Sequence, residues 1–196
     1  MRGRSVGNTL AATLTAVCLS GCRQPAGSDL DHPTADATPG AAHQGRLAID
    51  RLGRKGQLSV SSPDVTSGAA IPGVFSSYGA NRKPQITWSS IAGASSYAVI
   101  VEDPDAPSPK PFVHDLEWGM TQAGEAGLKG RNDAGVKGWT GPHPPRGDPA
   151  HHYHVQVFAL DRTPAIKSGA DRDALIAALR GHVVADGELV ATYKAP

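Results

Sequence analysis

Segments in which apolar residues recur at every second position dominate the middle of this chain. Residues 97–101 are apolar throughout, which predicts a central strand that is covered on both faces. Residues 57–61 and 85–89 carry shorter alternations and predict two further strands. The chain also contains 23 glycines and 16 prolines, a composition that favours turns over long helices. We therefore expect short strands joined by many turns, and not a helix bundle.

A longer alternating segment, residues 112–118, carries the first histidine of interest. A period of two puts His114 on the inward face with apolar neighbours and turns Asp115 outward. Residues 121–148, which follow, are rich in glycine and proline and predict a long loop. Loops of this length are uncommon unless they have a function.

The last third of the chain predicts two more strands and one helix. In residues 151–160 the alternation places His151 and Tyr153 on one face with two valines, and turns the intervening polar residues to the opposite face. Residues 171–180 have an N-cap aspartate, an apolar stripe and a following glycine, which together predict a helix. Residues 188–193 predict a final strand.

The charge of the chain argues against nucleic acid as its main partner. Lys and Arg number 19, Asp and Glu number 18, and the formal net charge is +1. No basic run occurs in the sequence. Since neutralising phosphates requires clustered basic residues, we expect no nucleic-acid partner.

The N-terminal residues have the pattern of a lipoprotein signal peptide. Arg2 and Arg4 precede a short apolar run that is too short to span a bilayer permanently. The run ends in Leu19-Ser20-Gly21-Cys22, which resembles a bacterial lipobox, in which Cys22 would carry the acyl chains. The alternative is an ordinary cleaved signal with a cysteine by chance. We predict a signal peptide over residues 1–21, lipidated Cys22 with a disordered tether over 22–45, and a folded domain over 46–196.

The lipobox also predicts where the protein resides. Several acyl chains would anchor it firmly to a membrane of the bacterial cell envelope. Arg23 follows Cys22, where enteric lipoproteins retained in the inner membrane carry aspartate. By resemblance to those lipoproteins, we expect the outer membrane, with the domain facing the periplasm.

Candidate binding residues converge on the ends of the predicted strands. Asp103 follows the strand at 97–101, His114 points inward from the next strand, and His151 and Tyr153 follow the proline-rich segment 141–149. Imidazolium and phenol groups donate hydrogen bonds to phosphate oxygens, and a carboxylate beside histidines favours their charged form. Taken singly, the aspartate could be a turn former and the histidine a satisfied core residue. Together these residues predict a small anion site.

Several separated segments resemble one known family. The segments 98–107, 111–114, 141–148 and 151–161 are similar to the phosphatidylethanolamine-binding protein family, in its bacterial Raf-kinase-inhibitor-like branch. The resemblance implies a mainly β fold, an antiparallel β-sandwich-like architecture with a few short peripheral helices. It also implies a pocket lined by Asp103, His114, His151 and Tyr153, with Asp105 and Pro145 at its wall and His143 near the ligand. The family binds phosphate-like anions and phospholipid headgroups, and its eukaryotic members regulate kinases.

Some residues depart from the family pattern. Asp115 and Glu117 replace residues that are usually apolar, so the outer face of that strand is expected to be more exposed. His152 stands where arginine is usual, which removes a fixed positive charge. His143 stands where bacterial relatives often have cysteine; it could donate to a ligand or point to solvent.

Three functions are compatible with these residues. The favoured one is a lipid-anchored, non-catalytic module for small anionic or zwitterionic ligands, with no cofactor and no metal. The second is a metal-dependent hydrolase, for which Asp103, His114 and His151 would form a two-histidine, one-carboxylate site. The third is an inhibitor or regulator of a protein partner, unknown from the sequence, that acts through surface loops.

Overall fold

A computed structural model describes residues 45–196, which fold around one long sheet. The strands are β1 (Gly56–Gln57), β2 (Val60–Ser61), β3 (Thr87–Trp88), β4 (Ser96–Asp103), β5 (Phe112–Met120), β6 (Leu128–Lys129), β7 (His151–Leu160) and β8 (Val183–Tyr193). Six of them form a sheet in the order β1-β8-β7-β4-β5-β6, in which only β1 and β8 pair in parallel. Strands β2 and β3 form a separate antiparallel pair.

The strand predicted at 57–61 is divided between these two sheets. The Leu58 amide donates to the Asp186 carbonyl of β8, and the next amide, of Ser59, donates to the Ser89 hydroxyl beside β3. The chain therefore leaves the large sheet and joins the small one within two residues. Gly187 permits the crossing, because a Cβ there would lie 1.9 Å from the Leu58 carbonyl oxygen.

Two helices and one helical turn lie outside the sheets. They are α1 (Ala48–Leu52), a 3₁₀ turn (Gly73–Phe75) and α2 (Arg172–Leu179). Asp171 caps α2 by accepting from the Ala174 amide at 2.9 Å, and Gly181 follows the helix with a φ of 82°. The predicted helix and its end residues are therefore confirmed. No helix in residues 45–196 has the length and apolarity needed to cross a membrane.

The large sheet is covered on both faces. One face packs Val99, Val101 and Val157 against Phe75 and the segment around Trp88. The opposite face packs the buried side chains of α1 and α2 against Ala98, Ile100, Leu116, Trp118, Phe158 and Leu160. The predicted class, a mainly β fold with few helices, is confirmed; "sandwich" describes it approximately, because the large sheet is mixed and the second sheet has only two short strands.

A β-bulge at His114 changes the direction of the side chains in β5. Val101 pairs with Asp115, whereas the next residue, Glu102, pairs with Val113, so that His114 is the extra residue. His114 and Asp115 consequently face the same side of the sheet, where the His114 ring contacts Tyr153. The prediction that Asp115 points outward is therefore wrong, because it assumed an unbroken period of two.

The bulge places Asp115 in a buried ionic cluster. The Asp115 side chain is 0% exposed and lies 2.8 Å from the Lys83 ammonium, which also contacts Glu117. Glu117 is itself buried and accepts a hydrogen bond from the Gly127 amide at 2.8 Å. The face that carries Asp115 and Glu117 is therefore not exposed as expected, since the Lys83 segment covers it.

A second buried network joins both helices to the opposite face. Glu102 accepts hydrogen bonds from the Ala48 amide at 2.8 Å, from the Gln156 side chain at 2.7 Å and from the Arg172 guanidinium. Gln156 in turn accepts from the Ile49 amide at 2.7 Å. One carboxylate thus connects β4 to the start of α1, to β7 and to α2.

The predicted signal peptide, Cys22 and all but the last residue of the predicted tether lie outside the described residues. The structure therefore describes the part of the chain predicted as the folded domain, together with residue 45.

Candidate functional site

The predicted binding residues meet at one edge of the large sheet. Strand β4 ends at Asp103, and its antiparallel neighbours β5 and β7 begin beside it, at Phe112 and His151. A cavity of about 490 Å³ opens at this edge. Of the predicted residues, those that line it are Asp103, His114, His143, Pro145 and His151.

The cavity walls are mostly apolar. Ala106, Pro107 and Phe112 line one part, and Pro144 with Pro145 lines another. The few polar groups are therefore held against a poorly hydrated surface, where hydrogen bonds to a ligand are stronger than in water.

Asp103 and His151 form the central polar pair of the cavity. Asp103 Oδ2 lies 2.8 Å from His151 Nδ1, and both side chains are buried. The other carboxylate oxygen, Oδ1, accepts from the amides of Asp105 at 2.8 Å and Ala106 at 3.1 Å. Asp103 is thus fixed by the turn that follows β4 and orients the imidazole, so that Nε2 is the ring atom left for a ligand.

His114 is held in place through one of its ring nitrogens. Its Nδ1 lies 2.7 Å from the Thr140 carbonyl oxygen, so this nitrogen carries the proton and donates. Burial lowers the pKa of His114 below its usual value of 6.5, although the Thr140 carbonyl and Asp103 act in the opposite direction. In the neutral ring Nε2 is an acceptor. Asp103 therefore does not offset the effect of burial on the His114 pKa.

Tyr153 and Asp105 do not line the cavity. Tyr153 is buried beneath His114, with ring centroids 5.1 Å apart, and its hydroxyl has no hydrogen-bond partner among residues 45–196. Burial, with Asp103 nearby, raises the pKa of Tyr153, so the phenol keeps its proton. The Asp105 carboxylate turns towards the surface, where it accepts from His152 Nδ1 at 2.7 Å and from the His152 amide at 2.8 Å.

His143 lies on the rim of the cavity. Its ring stacks on Tyr78 with centroids 4.3 Å apart, and the Tyr78 hydroxyl donates to the Pro144 carbonyl at 2.7 Å. His143 is exposed, so it both borders the cavity and reaches solvent. Arg146 lies over the Tyr78 ring, 5.3 Å from its centroid, and places a fixed positive charge near the rim.

The sequence analysis missed residues that complete the site. Ser77 lines the cavity and holds the proline-rich loop, since its amide donates to the Pro142 carbonyl at 2.9 Å and its hydroxyl to the Gly141 carbonyl at 3.0 Å. Gly141 allows this close approach, because a Cβ there would lie 2.2 Å from the Phe75 carbonyl oxygen. Ser77 belongs to no periodic segment, so only the loop contact identifies it.

Asp148, the last residue of the segment 141–148, is a second residue that the sequence analysis does not assign to the site. Its Oδ2 lies 3.5 Å from His151 Nε2, on the side of the imidazole opposite Asp103. The sequence indicates this contact only weakly, by an acidic residue three positions before a histidine that is predicted to point inward.

The two histidines of the cavity each keep one ring nitrogen without a strong hydrogen bond. His151 Nε2 and the neutral His114 Nε2 are the two imidazole atoms that Asp103 and Thr140 leave for a ligand. Within residues 45–196, no three His, Cys, Asp or Glu side chains converge as metal ligands would. Both Asp103 oxygens already accept hydrogen bonds within the protein.

Comparisons with known proteins give the family of this fold. The model of the phosphatidylethanolamine-binding protein family matches residues 61–194. A UPF0098 protein of Pyrococcus horikoshii is 38% identical over 140 residues, which cover 63% of this chain and 70% of that protein. The crystal structure of E. coli YbcL, described as a member of the mammalian PEBP family, has a TM-score of 0.66 and 26% identity, and the match covers 71% of this chain and 99% of YbcL.

One relative extends the similarity to the N-terminal region. A Mycobacterium tuberculosis protein named "Putative lipoprotein LppC" is 30% identical over 201 residues, covering 94% of each chain. This relative supports anchoring to the cell envelope by lipid. The family match covers most of the described residues, including all three strands that build the cavity. The chain therefore belongs to the phosphatidylethanolamine-binding protein family.

Proposed function

We propose that this protein binds a small phosphate-bearing anion or a phospholipid headgroup in the cavity and catalyses no reaction. The observation that carries the proposal is the Asp103–His151 pair, in which a buried carboxylate orients a buried imidazole at the mouth of an apolar cavity. When this imidazole is protonated on both nitrogens, its oriented Nε2–H group is a strong donor to a phosphate oxygen in such surroundings.

The other predicted residues would take complementary roles. The neutral His114 Nε2 would accept a hydrogen bond from a phosphate hydroxyl or from an ammonium group. Tyr153 does not line the cavity, so it would act indirectly, by packing beneath the His114 ring. Pro145 and His143 would border the ligand at the rim. Asp105 would act indirectly, because its amide holds Asp103 while its carboxylate holds His152.

Calorimetry with the full-length protein in detergent tests this function. We expect wild-type protein to bind inorganic phosphate or phosphoethanolamine, and His151→Ala to weaken that binding by about 10- to 100-fold, since a charge-assisted hydrogen bond contributes about 1.5–3 kcal/mol. Tyr153→Phe should weaken it much less than His151→Ala does, because the phenol does not line the cavity and acts only through the His114 ring. Asp161→Asn, which changes a surface aspartate paired with His182, serves as the control.

Two results would contradict the proposal. One is a wild-type protein that binds neither compound. The other is stoichiometric zinc that disappears in both His114→Ala and His151→Ala, which would favour the hydrolase.

We further propose that a lipid on Cys22 holds this domain at the outer membrane, on the periplasmic side. The similarity to the relative named as a lipoprotein supports the lipid, and Arg23 after Cys22 favours the outer membrane. Radiolabelled palmitate fed to expressing bacteria should label the wild-type protein but not Cys22→Ser, and the labelled protein should fractionate with outer membranes. Equal labelling of both proteins would contradict the lipid site, and label in inner membranes would contradict the location.

A further inference from the structure

The imidazole of His151 lies between two carboxylates that differ in burial and in their distance from the ring. Asp103 contacts Nδ1 at 2.8 Å and is buried, with its second oxygen held by two amides. Asp148 lies 3.5 Å from Nε2, and its side chain is 40% exposed. The first contact is a strong hydrogen bond, whereas the second is longer than an ordinary hydrogen bond and is an ion pair at most. Asp103 therefore orients the ring, and Asp148 is free to adjust.

Asp148 does not itself line the cavity, but it lies beside the His151 atom that would hold a ligand. Nε2 is the ring atom left for a ligand, and Asp148 is the carboxylate next to that atom. No lysine or arginine is among the described residues that line the cavity, and Arg146, the fixed cation near its rim, lies over Tyr78 and donates to the Pro196 carbonyl. A purely anionic ligand on Nε2 would meet a like charge a few ångströms away.

We propose that Asp148 is a specificity-determining residue, which makes the cavity select zwitterionic phosphate compounds over free phosphate. This inference rests on the proposed function. Its carboxylate repels the phosphate group of either ligand, but only a zwitterionic ligand whose phosphate occupies His151 Nε2 also offers an ammonium group that pairs with Asp148 and offsets this repulsion. The partial exposure of Asp148 lets it turn from the imidazole towards that ammonium group without unfolding the turn.

The test compares two ligands on three full-length proteins. Calorimetry at pH 7.5 and low ionic strength gives the dissociation constants of inorganic phosphate and of phosphoethanolamine for wild type, Asp148→Asn and Asp161→Asn. Asp161 is a matched control, because it is a 44% exposed carboxylate 3.1 Å from a histidine nitrogen, in a pair that does not line the cavity. The control therefore removes the same charge from a similar pair.

We expect wild-type protein to prefer phosphoethanolamine. Asp148→Asn should bind inorganic phosphate about tenfold more tightly, because the repulsion is lost at a partly screened site, and should gain nothing for phosphoethanolamine. Asp161→Asn should keep the wild-type ratio of the two constants. If wild type binds both ligands and Asp148→Asn leaves that ratio unchanged, this inference is wrong and the proposed function stands. If wild type binds neither ligand, both are wrong.

Discussion

Replacing Arg172 with methionine is expected to lower the free energy of unfolding by about 3–5 kcal/mol, the loss typical of breaking a buried ion pair. The Glu102 side chain is 0% exposed and Arg172 is its charged partner, so the variant leaves a carboxylate in the core without its counter-charge. The guanidinium also donates to the Arg46 carbonyl at 2.8 Å, so α2 and the segment before α1 lose a shared contact. Urea denaturation followed by tryptophan fluorescence at pH 7 measures the loss.

Two controls separate charge from packing in this experiment. Arg172→Met combined with Glu102→Gln removes both charges and should recover most of the stability, because the amide still accepts from the Ala48 amide. Arg51→Ala breaks the exposed pair with Asp173 and should cost less than about 1 kcal/mol. A loss below about 1 kcal/mol in Arg172→Met would show that the buried pair does not stabilise the fold as its geometry indicates.

Replacing Lys83 with methionine is expected to destabilise the protein by about 3 kcal/mol at pH 8, the lower end of the range for buried pairs because the ammonium is partly exposed. Two buried carboxylates, Asp115 and Glu117, share this one cation. Burial raises the pKa of Asp115 above its usual value even beside Lys83. The pKa of Lys83 is also raised, because Asp115 and Glu117 together outweigh the opposing effect of burial.

The destabilisation should depend on pH, with a sign that follows from Asp115. An acid with a raised pKa binds its proton more tightly in the folded state, so folding gains stability as the pH falls through the folded pKa towards 3.8. Removing Lys83 raises the pKa of Asp115 further. The loss in Lys83→Met should therefore be smaller at pH 5 than at pH 8, as measured by urea denaturation at both values.

Asp115→Asn provides the matched variant. It leaves Lys83 with one acid, Glu117, and should be no less stable than wild type at pH 8. Lys83→Met combined with Asp115→Asn should recover part of the lost stability. An equal loss of stability at pH 5 and pH 8 in Lys83→Met alone would contradict this explanation, because the unpaired charge of Asp115 would then not be the cause of the destabilisation.

The sequence predicts the elements that alternation or capping marks directly. The strand at 97–101, the faces of His151 and Tyr153, and the helix with its Asp171 cap all follow from local patterns. The bulge at His114 does not, because it depends on the register between β4 and β5, and register is a property of two segments. For the same reason the sequence could not pair Asp115 with Lys83, which is distant along the chain.

In the candidate site, too, some features could be predicted from the sequence and others could not. Asp103, His114 and His151 could be placed together because each lies at the end or the inward face of a predicted strand. The protonation of His114 could not be predicted, since it depends on the Thr140 carbonyl that the long loop brings to Nδ1. The family resemblance places Asp105 at the wall of the pocket, yet its carboxylate turns to His152. Nor does any periodic pattern mark α1, which is only five residues long.

The edges of the large sheet influence whether neighbouring molecules aggregate when they are packed closely together. The edge strands β1 and β6 are only two residues long. Farther along β8, the segment 68–71 forms backbone hydrogen bonds with Val190 and Thr192. Along β5, loop amides satisfy the carbonyls of Val113, His114 and Leu116 in the same way. A neighbouring copy would thus find few open backbone groups on either border, which hinders aggregation by strand addition. Such a domain can be present at a high local concentration without aggregating. Attachment of many copies to one membrane surface would produce such a concentration.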